Sequence, residues 1–328
     1  MLPVYGWSDT ESSPAAAAKA ASAAAAPEEA KEGSQEEAKE DECPSTFGPI
    51  ITDTAVPVDK GKFVIQPTWG LGFTTNTLSP SWRRISAGGN FTSFSTALKL
   101  TYGLWNNLEV FTVIPYIHNW AGKVDTPGPN GERSANFGGI GDITLTAKYR
   151  LVEEGPVMPT ITGLLTTGFP TGHFRNLNPS RLGTEALGGG AYTFTAGLNL
   201  SKFLKPFIFY GNLWYTMQTD FISQGQDELG NPASIRNHPR DYVTVNMAME
   251  YPITKKWIAL LELYSTWDGG RLMGPKANLA PTALFSILPG IEFMATEKYS
   301  LALGVGIDFI GKNGNANVTP MLSMVYAF

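Results

Sequence analysis

Beyond Phe47 the chain runs in segments of about ten residues in which apolar and polar or small positions alternate. That is the period-two pattern of a strand whose two faces meet different surroundings. Between Asp142 and Leu151 one face carries Ile143, Leu145, Ala147, Tyr149 and Leu151, and the other Asp142, Thr144, Thr146, Lys148 and Arg150. The same split sets Phe63, Ile65, Pro67, Trp69, Leu71 and Phe73 against Val64, Gln66, Thr68, Gly70 and Gly72. Near the end it sets Leu301, Leu303, Val305, Ile307 and Phe309 against Ser300, Ala302, Gly304, Gly306 and Asp308.

The pattern predicts twelve strands, near 63–73, 91–103, 107–118, 139–151, 157–168, 188–201, 205–219, 241–253, 256–267, 282–294, 299–311 and 319–328. The connections alternate in length. Leu104–Asn106, Val152–Pro156, Lys202–Leu204, Thr254–Lys255 and Ala295–Lys298 read as tight turns, whereas 74–90, 119–138, 169–187, 220–240, 268–281 and 312–318 are polar and rich in Gly and Pro. Tight turns at one rim, long loops at the other and an even strand count describe a transmembrane antiparallel up-and-down β-barrel, with short turns and both termini in the periplasm. Closure follows physically, because hydrocarbon offers no water to an unpaired strand edge. A soluble β-sandwich is the competing fold, but its strands average five or six residues.

Tyr102, Tyr149, Tyr251, Trp257, Tyr299, Tyr326 and Phe328 fall at the short-turn ends of the strands, and Tyr116, Trp69 and Trp267 lie toward the other rim. This is where interfacial aromatics of a barrel belong. The last strand alternates to a terminal aromatic, so Tyr326 and Phe328 are candidates for the signal read by the barrel-assembly machinery.

Composition separates a tail from this barrel. Residues 1–46 hold ten acidic side chains against Lys19, Lys31 and Lys39, a net charge of −7. Removing them from the whole-chain −5 leaves +2 for residues 47–328. An Ala/Glu-rich segment with few large apolar residues packs no core and reads as a disordered periplasmic tail. It is either a site for a periplasmic partner or a spacer. The single Cys43 excludes an intrachain disulfide and reads as a solvated thiol or an intermolecular link. No run of 18 apolar residues offers a spanning helix. Met1–Trp7 has no basic region, so the sequence is expected to be a mature chain without its export signal. No cysteine and histidine spacing suits a metal, no cofactor is implied, and nothing points to nucleic acid. The glycines at 139–141 and 188–190 lack the strand-to-helix setting of a phosphate loop and suit a curved sheet.

Three stretches resemble the phenol-degradation MetA pathway family of outer-membrane β-barrel transporters. They are Gly103-Leu104 through Leu108-Glu109-Val110 to Pro115-Tyr116, the run Gly139-Ile140-Gly141-Asp142-Ile143-Thr144-Leu145-Thr146-Ala147-Lys148-Tyr149-Arg150-Leu151, and Phe169-Pro170-Thr171-Gly172. With Gly304–Phe328, the likeness covers most of the chain from about residue 60. The resemblance implies an outer-membrane barrel that passes aromatic or otherwise hydrophobic compounds. The acidic tail is no part of it.

With the apolar faces on lipid, Lys99, Glu109, Asp142, Lys148, Arg150, Glu250, Glu262, Glu292 and Asp308 are the expected lumen charges. Turn spacing sets Lys99 and Glu109 roughly opposite each other across the second hairpin. The set reads either as a network of neutralising pairs or as a selectivity element for a charged or polar solute. Phe111, Val113, Tyr210, Trp214, Leu284 and Leu288 are the expected apolar lumen residues. They serve either a path for apolar solutes or the filling of a narrow interior.

A channel or transporter for passive passage of small, aromatic or hydrophobic solutes is therefore the leading function, with membrane lipid and the solute as partners. A barrel that anchors a periplasmic partner through its tail is the alternative. A lipid hydrolase needs a hydroxyl beside a histidine base. Of three histidines, His173 and His238 fall in outer loops and His118 has Trp120, not a hydroxyl, two residues on.

Overall fold

The structure is a computed structural model, and it describes residues 45–124, 133–226, 232–273 and 277–328. The acidic segment 1–44, with Cys43, lies outside the described residues. Twelve antiparallel strands close on themselves: β1 Phe63–Leu78, β2 Asn90–Trp105, β3 Leu108–Val124, β4 Ile143–Val152, β5 Thr160–Phe169, β6 Thr193–Leu204, β7 Phe207–Gln218, β8 Tyr242–Pro252, β9 Trp257–Asp268, β10 Thr282–Thr296, β11 Tyr299–Lys312 and β12 Gly314–Ala327. Each strand pairs with its sequence neighbours, and β12 returns to β1 with Val64 opposite Ala327 and Thr68 opposite Ser323. No edge is left among these twelve, although the wall is interrupted just before β4, at Gly141–Asp142.

The alternation that predicts the strands is the alternation of burial. On β7, Ile208, Tyr210, Asn212, Trp214 and Thr216 are buried inside, while Phe209, Leu213, Tyr215 and Met217 are exposed outside. An exterior of exposed Leu, Phe, Tyr and Trp suits a lipid solvent, since the same surface in water would be an aggregation-prone patch. The aromatics named above for the short-turn rim are exposed there, with the exception of the half-buried Tyr299.

The loop rim departs from the expected layout. The segment 312–318 is no long loop: β11 ends at Lys312 and β12 begins at Gly314, with Asn313 in the left-handed region at φ 56°. Strands β1 and β12 continue past the apolar band, and Thr77 pairs with Asn315. Backbone pairing needs no apolar alternation, so it extends beyond the stretch that lipid patterns. For the same reason Arg133–Ile140 continues the line of β4 and pairs with the outer half of β3. The segments Phe221–Gln226, Pro232–Pro239, Arg271–Met273 and Ala277–Leu279 form a separate four-stranded sheet above the rim. At the other rim the β4–β5 connection, 153–159, is longer than the expected turn.

Candidate functional site: a strap across the lumen

Residues 45–62 form neither strand nor helix. They dip into the barrel from the short-turn rim, cross the lumen and return to that rim to begin β1. Phe47 and Val58, near the two ends of the crossing, share one buried cluster with Val64, Ile258, Met294, Val325 and Ala327. Ile50 and Ile51, nearer its middle, pack on Leu260, Leu288 and Ala302. The chain's own segment thus occupies part of the lumen.

An irregular segment inside a barrel must find partners for its peptide groups from side chains. The wall supplies them. The N–H groups of Ile50, Ile51 and Thr52 all donate to the Glu262 carboxylate, at 2.7, 3.0 and 2.6 Å. Glu292 accepts from the Thr46 hydroxyl at 2.7 Å and from the Phe47 N–H at 3.3 Å. Asn212 clasps Asp53 by accepting from its N–H at 2.9 Å and donating to its carbonyl at 2.8 Å. Ser201 accepts from the Ala55 N–H at 2.8 Å, the Thr162 hydroxyl donates to the Ala55 carbonyl, and Glu109 accepts from the Val58 N–H at 2.6 Å. Converging N–H groups form a concavity that favours an anion, which explains why carboxylates line a lumen otherwise rich in Thr, Ser and Asn.

Asp53 is the only charged residue between Ser45 and Val58. Its carboxylate lies 3.2 Å from Lys99 and 3.3 Å from Lys148, and accepts from Asn199 at 2.7 Å. Lys148 also meets Glu109 at 2.7 Å and donates to the Thr54 carbonyl at 2.9 Å. Lys99 and Glu109 are not opposite each other across their hairpin. Lys99 faces Val113 and Glu109 faces Gly103, because the β2–β3 turn falls at Asn106–Asn107 and a register shift lies between Gly103 and Trp105. Lys99 pairs with Asp53 instead, and Lys148 pairs with both Asp53 and Glu109.

The charges are segregated around the wall. Lys99 and Lys148 stand on β2 and β4 with Glu109 between them on β3. Glu250, Glu262 and Glu292 stand on β8, β9 and β10, which carry no lysine or arginine. Six strands of twelve separate the two groups, so they face each other across the lumen. The strap lies in this transverse field with N–H groups toward the acidic wall and the Asp53 carboxylate toward the basic wall. Glu250, buried, accepts from the Tyr210 hydroxyl at 2.9 Å.

The remaining sequence-derived residues lie apart from this clasp or beside it. Trp214 packs on Leu164 and donates from its indole to Asn199 at 2.8 Å, next to the Asp53 site. The Phe111 ring lies 4.1 Å from the Lys99 ammonium, and Val113 is buried on the same face. Leu288 is buried against the strap, while Leu284 is half-buried on the face of Thr266 nearer the loop rim. Arg150 sits at the short-turn rim on Asn107, at 2.7 Å. Asp308 accepts from the Ser286 hydroxyl at 2.6 Å and the Asn317 N–H at 2.8 Å.

Asp142 marks a second feature. The wall is interrupted at Gly141–Asp142, and Arg133–Ile140 pairs with β3 alone. Loop 170–192 covers the other side of that segment. Asp142 accepts from the Gly172 and Gly189 N–H groups at 2.8 and 2.7 Å, and the Thr171 hydroxyl donates to the Gly141 carbonyl at 2.7 Å. Asp142 therefore fastens a loop against the break.

The histidines form no base with a nucleophile among the described contacts. His118 stacks on Trp120 at 4.2 Å, His173 meets the Glu185 carbonyl, and His238 pairs with Asp220 at 2.8 Å. The described residues hold no cluster of metal-ligating side chains. Sequence reasoning missed Thr162, Asn199, Ser201 and Asn212, which are small polar residues on the inward face. The signal available was the acidic wall itself, three inward carboxylates with no cation on their strands.

No protein-family model and no curated protein matches the sequence. Among solved structures, the COG4313 outer membrane channel from Pseudomonas putida F1 has a TM-score of 0.65 and 17% identity, over 84% of this chain and 98% of that one. The transport unit of the autotransporter AIDA-I from Escherichia coli gives 0.48 and 12%, over 82% and 91%. The translocator domain of the autotransporter NalP from Neisseria meningitidis gives 0.45 and 15%, over 83% and 90%. The first of these likenesses extends over nearly the whole neighbour and shows the same fold, a closed antiparallel β-barrel.

Proposed function

We propose that the chain is an outer-membrane channel for small solutes with an apolar or aromatic body, closed at rest by the strap and oriented with its short turns and both termini in the periplasm. The observation that carries this reading is how the strap is held. It is clasped by polar side chains of the wall rather than built into the sheet, so moving it requires no break in the barrel. Long loops outside and short turns inside follow the usual orientation of such barrels. The resemblance to the phenol-degradation MetA pathway family agrees with an apolar cargo, as do Phe111, Val113, Leu164 and Trp214 on the lumen face. The lumen-filling strap also suits the second reading, a barrel that anchors a partner of the segment 1–46 and conducts nothing.

Liposome swelling with benzyl alcohol and with arabinose separates these. Preferential entry of benzyl alcohol through the wild type, reduced severalfold in Trp214→Ala, supports the channel. No solute-dependent swelling by correctly folded protein favours the anchor.

A further inference from the structure

We propose that the Lys99–Lys148–Asn199 cluster is a carboxylate-binding site of the channel, occupied at rest by Asp53 and taken over by the carboxylate of an amphipathic monocarboxylate solute when the strap moves aside. The inference deepens the channel reading and rests on it. Asp53 is here an internal stand-in for the solute's carboxylate.

Three observations carry it. The donors belong to three different strands of the wall, β2, β4 and β6, and converge on both oxygens of one carboxylate, at 3.2, 3.3 and 2.7 Å. Two ammonium groups and an amide form a site that a neutral solute could not fill, because a buried cation left without its anion is strongly disfavoured. Withdrawal of the strap leaves Lys148 its 2.7 Å partner Glu109 but takes from Lys99 the carboxylate it pairs with. The wall is then one anion short at this position.

Each donor also adjoins apolar surface that a solute body would cover. The Phe111 ring is 4.1 Å from the Lys99 ammonium, Leu164 stands opposite Lys148 in the sheet, and the Trp214 indole donates to Asn199 at 2.8 Å. A flat or chain-like apolar body attached to one carboxylate matches this combination. A dianion does not, since Glu109 already neutralises one of the two lysines. The acidic wall on the opposite strands β8–β10 disfavours an anion there and orients the solute toward the basic side.

The test is calorimetric titration of the purified full-length chain with benzoate and with neutral benzamide. Asp53→Asn removes the internal carboxylate and is expected to tighten benzoate binding at least tenfold while leaving benzamide unchanged. Adding Lys99→Gln to Asp53→Asn is expected to abolish that gain. Should Asp53→Asn fail to give a heat-modifiable barrel, Lys99→Gln alone is the variant, with benzoate expected about tenfold weaker than for the wild type. Benzoate binding that is absent, indifferent to these substitutions or matched by benzamide overturns the site. Swelling with benzyl alcohol keeps the two readings apart: its passage without benzoate binding defeats the carboxylate site alone, and its failure to pass defeats the channel.

Discussion

Both carboxylate oxygens of Glu262 lie within hydrogen-bond reach of the Ile51 N–H, at 3.1 and 3.0 Å, and the flanking N–H groups of Ile50 and Thr52 take one oxygen each. Three consecutive peptide groups of the strap therefore hang on one side chain of β9. Hydrogen bonds to a charged acceptor contribute roughly 1.5–3 kcal/mol each. In Glu262→Gln the charge is lost and an NH2 group faces peptide donors. Amide exchange at residues 50–52 is expected to speed up at least tenfold, with exchange in the strands unchanged. Equal protection in the two proteins would mean that the strap is held elsewhere.

Where the strap leaves the lumen it passes over Gly103. A Cβ at this position would lie 2.0 Å from the Asp59 carbonyl oxygen and 2.6 Å from that of Val58. The strap cannot easily yield, because Gly61 donates to the Gly103 carbonyl at 2.8 Å and Gly103 donates to the Lys62 carbonyl at 3.0 Å. Gly103→Ala is expected to destabilise the barrel by about 1–3 kcal/mol, the usual range for overpacking, seen as a lower midpoint in the gel shift between folded and unfolded forms. Gly155→Ala, where no atom lies within 4 Å of the added carbon, is the control and should change stability by less than about 0.5 kcal/mol.

Asp142→Ala leaves the Gly172 and Gly189 N–H groups without the carboxylate that joins loop 170–192 to the interruption in the wall. Trypsin cleavage after Arg175 and Arg181, both in that loop, is expected to accelerate severalfold while the unfolding midpoint of the barrel stays the same. Unchanged cleavage would show that Thr171 and Leu187 fasten the loop without Asp142.

The strands were legible because lipid and lumen impose opposite demands on successive residues, and residues 143–151 and 299–309 alternate residue by residue. Beyond the apolar band the demand ceases while backbone pairing continues, so the Gly- and Asn-rich 312–318 resembled a loop although Asn315 and Asn317 pair with Thr77 and Thr74. The strap had no periodic signature, since Thr46-Phe47-Gly48-Pro49-Ile50-Ile51-Thr52-Asp53 takes its polar partners from Lys99, Lys148, Asn199, Asn212, Glu262 and Glu292, scattered along the sequence, rather than from a neighbouring strand. The alternation sets Lys99 and Glu109 on the inward face, but their partners depend on a hairpin register and on a segment more than forty residues away, as the separation of Asp53 from Lys99 illustrates.

Single-channel conductance in planar bilayers, compared between the full-length wild type and Glu262→Gln, bears most directly on the closed lumen and the displaceable strap. A wild type that is silent or conducts in small, brief events, beside a variant with steady conductance several times larger, is the expected result. Equal, steady and large conductance in both proteins would contradict a lumen closed by the strap.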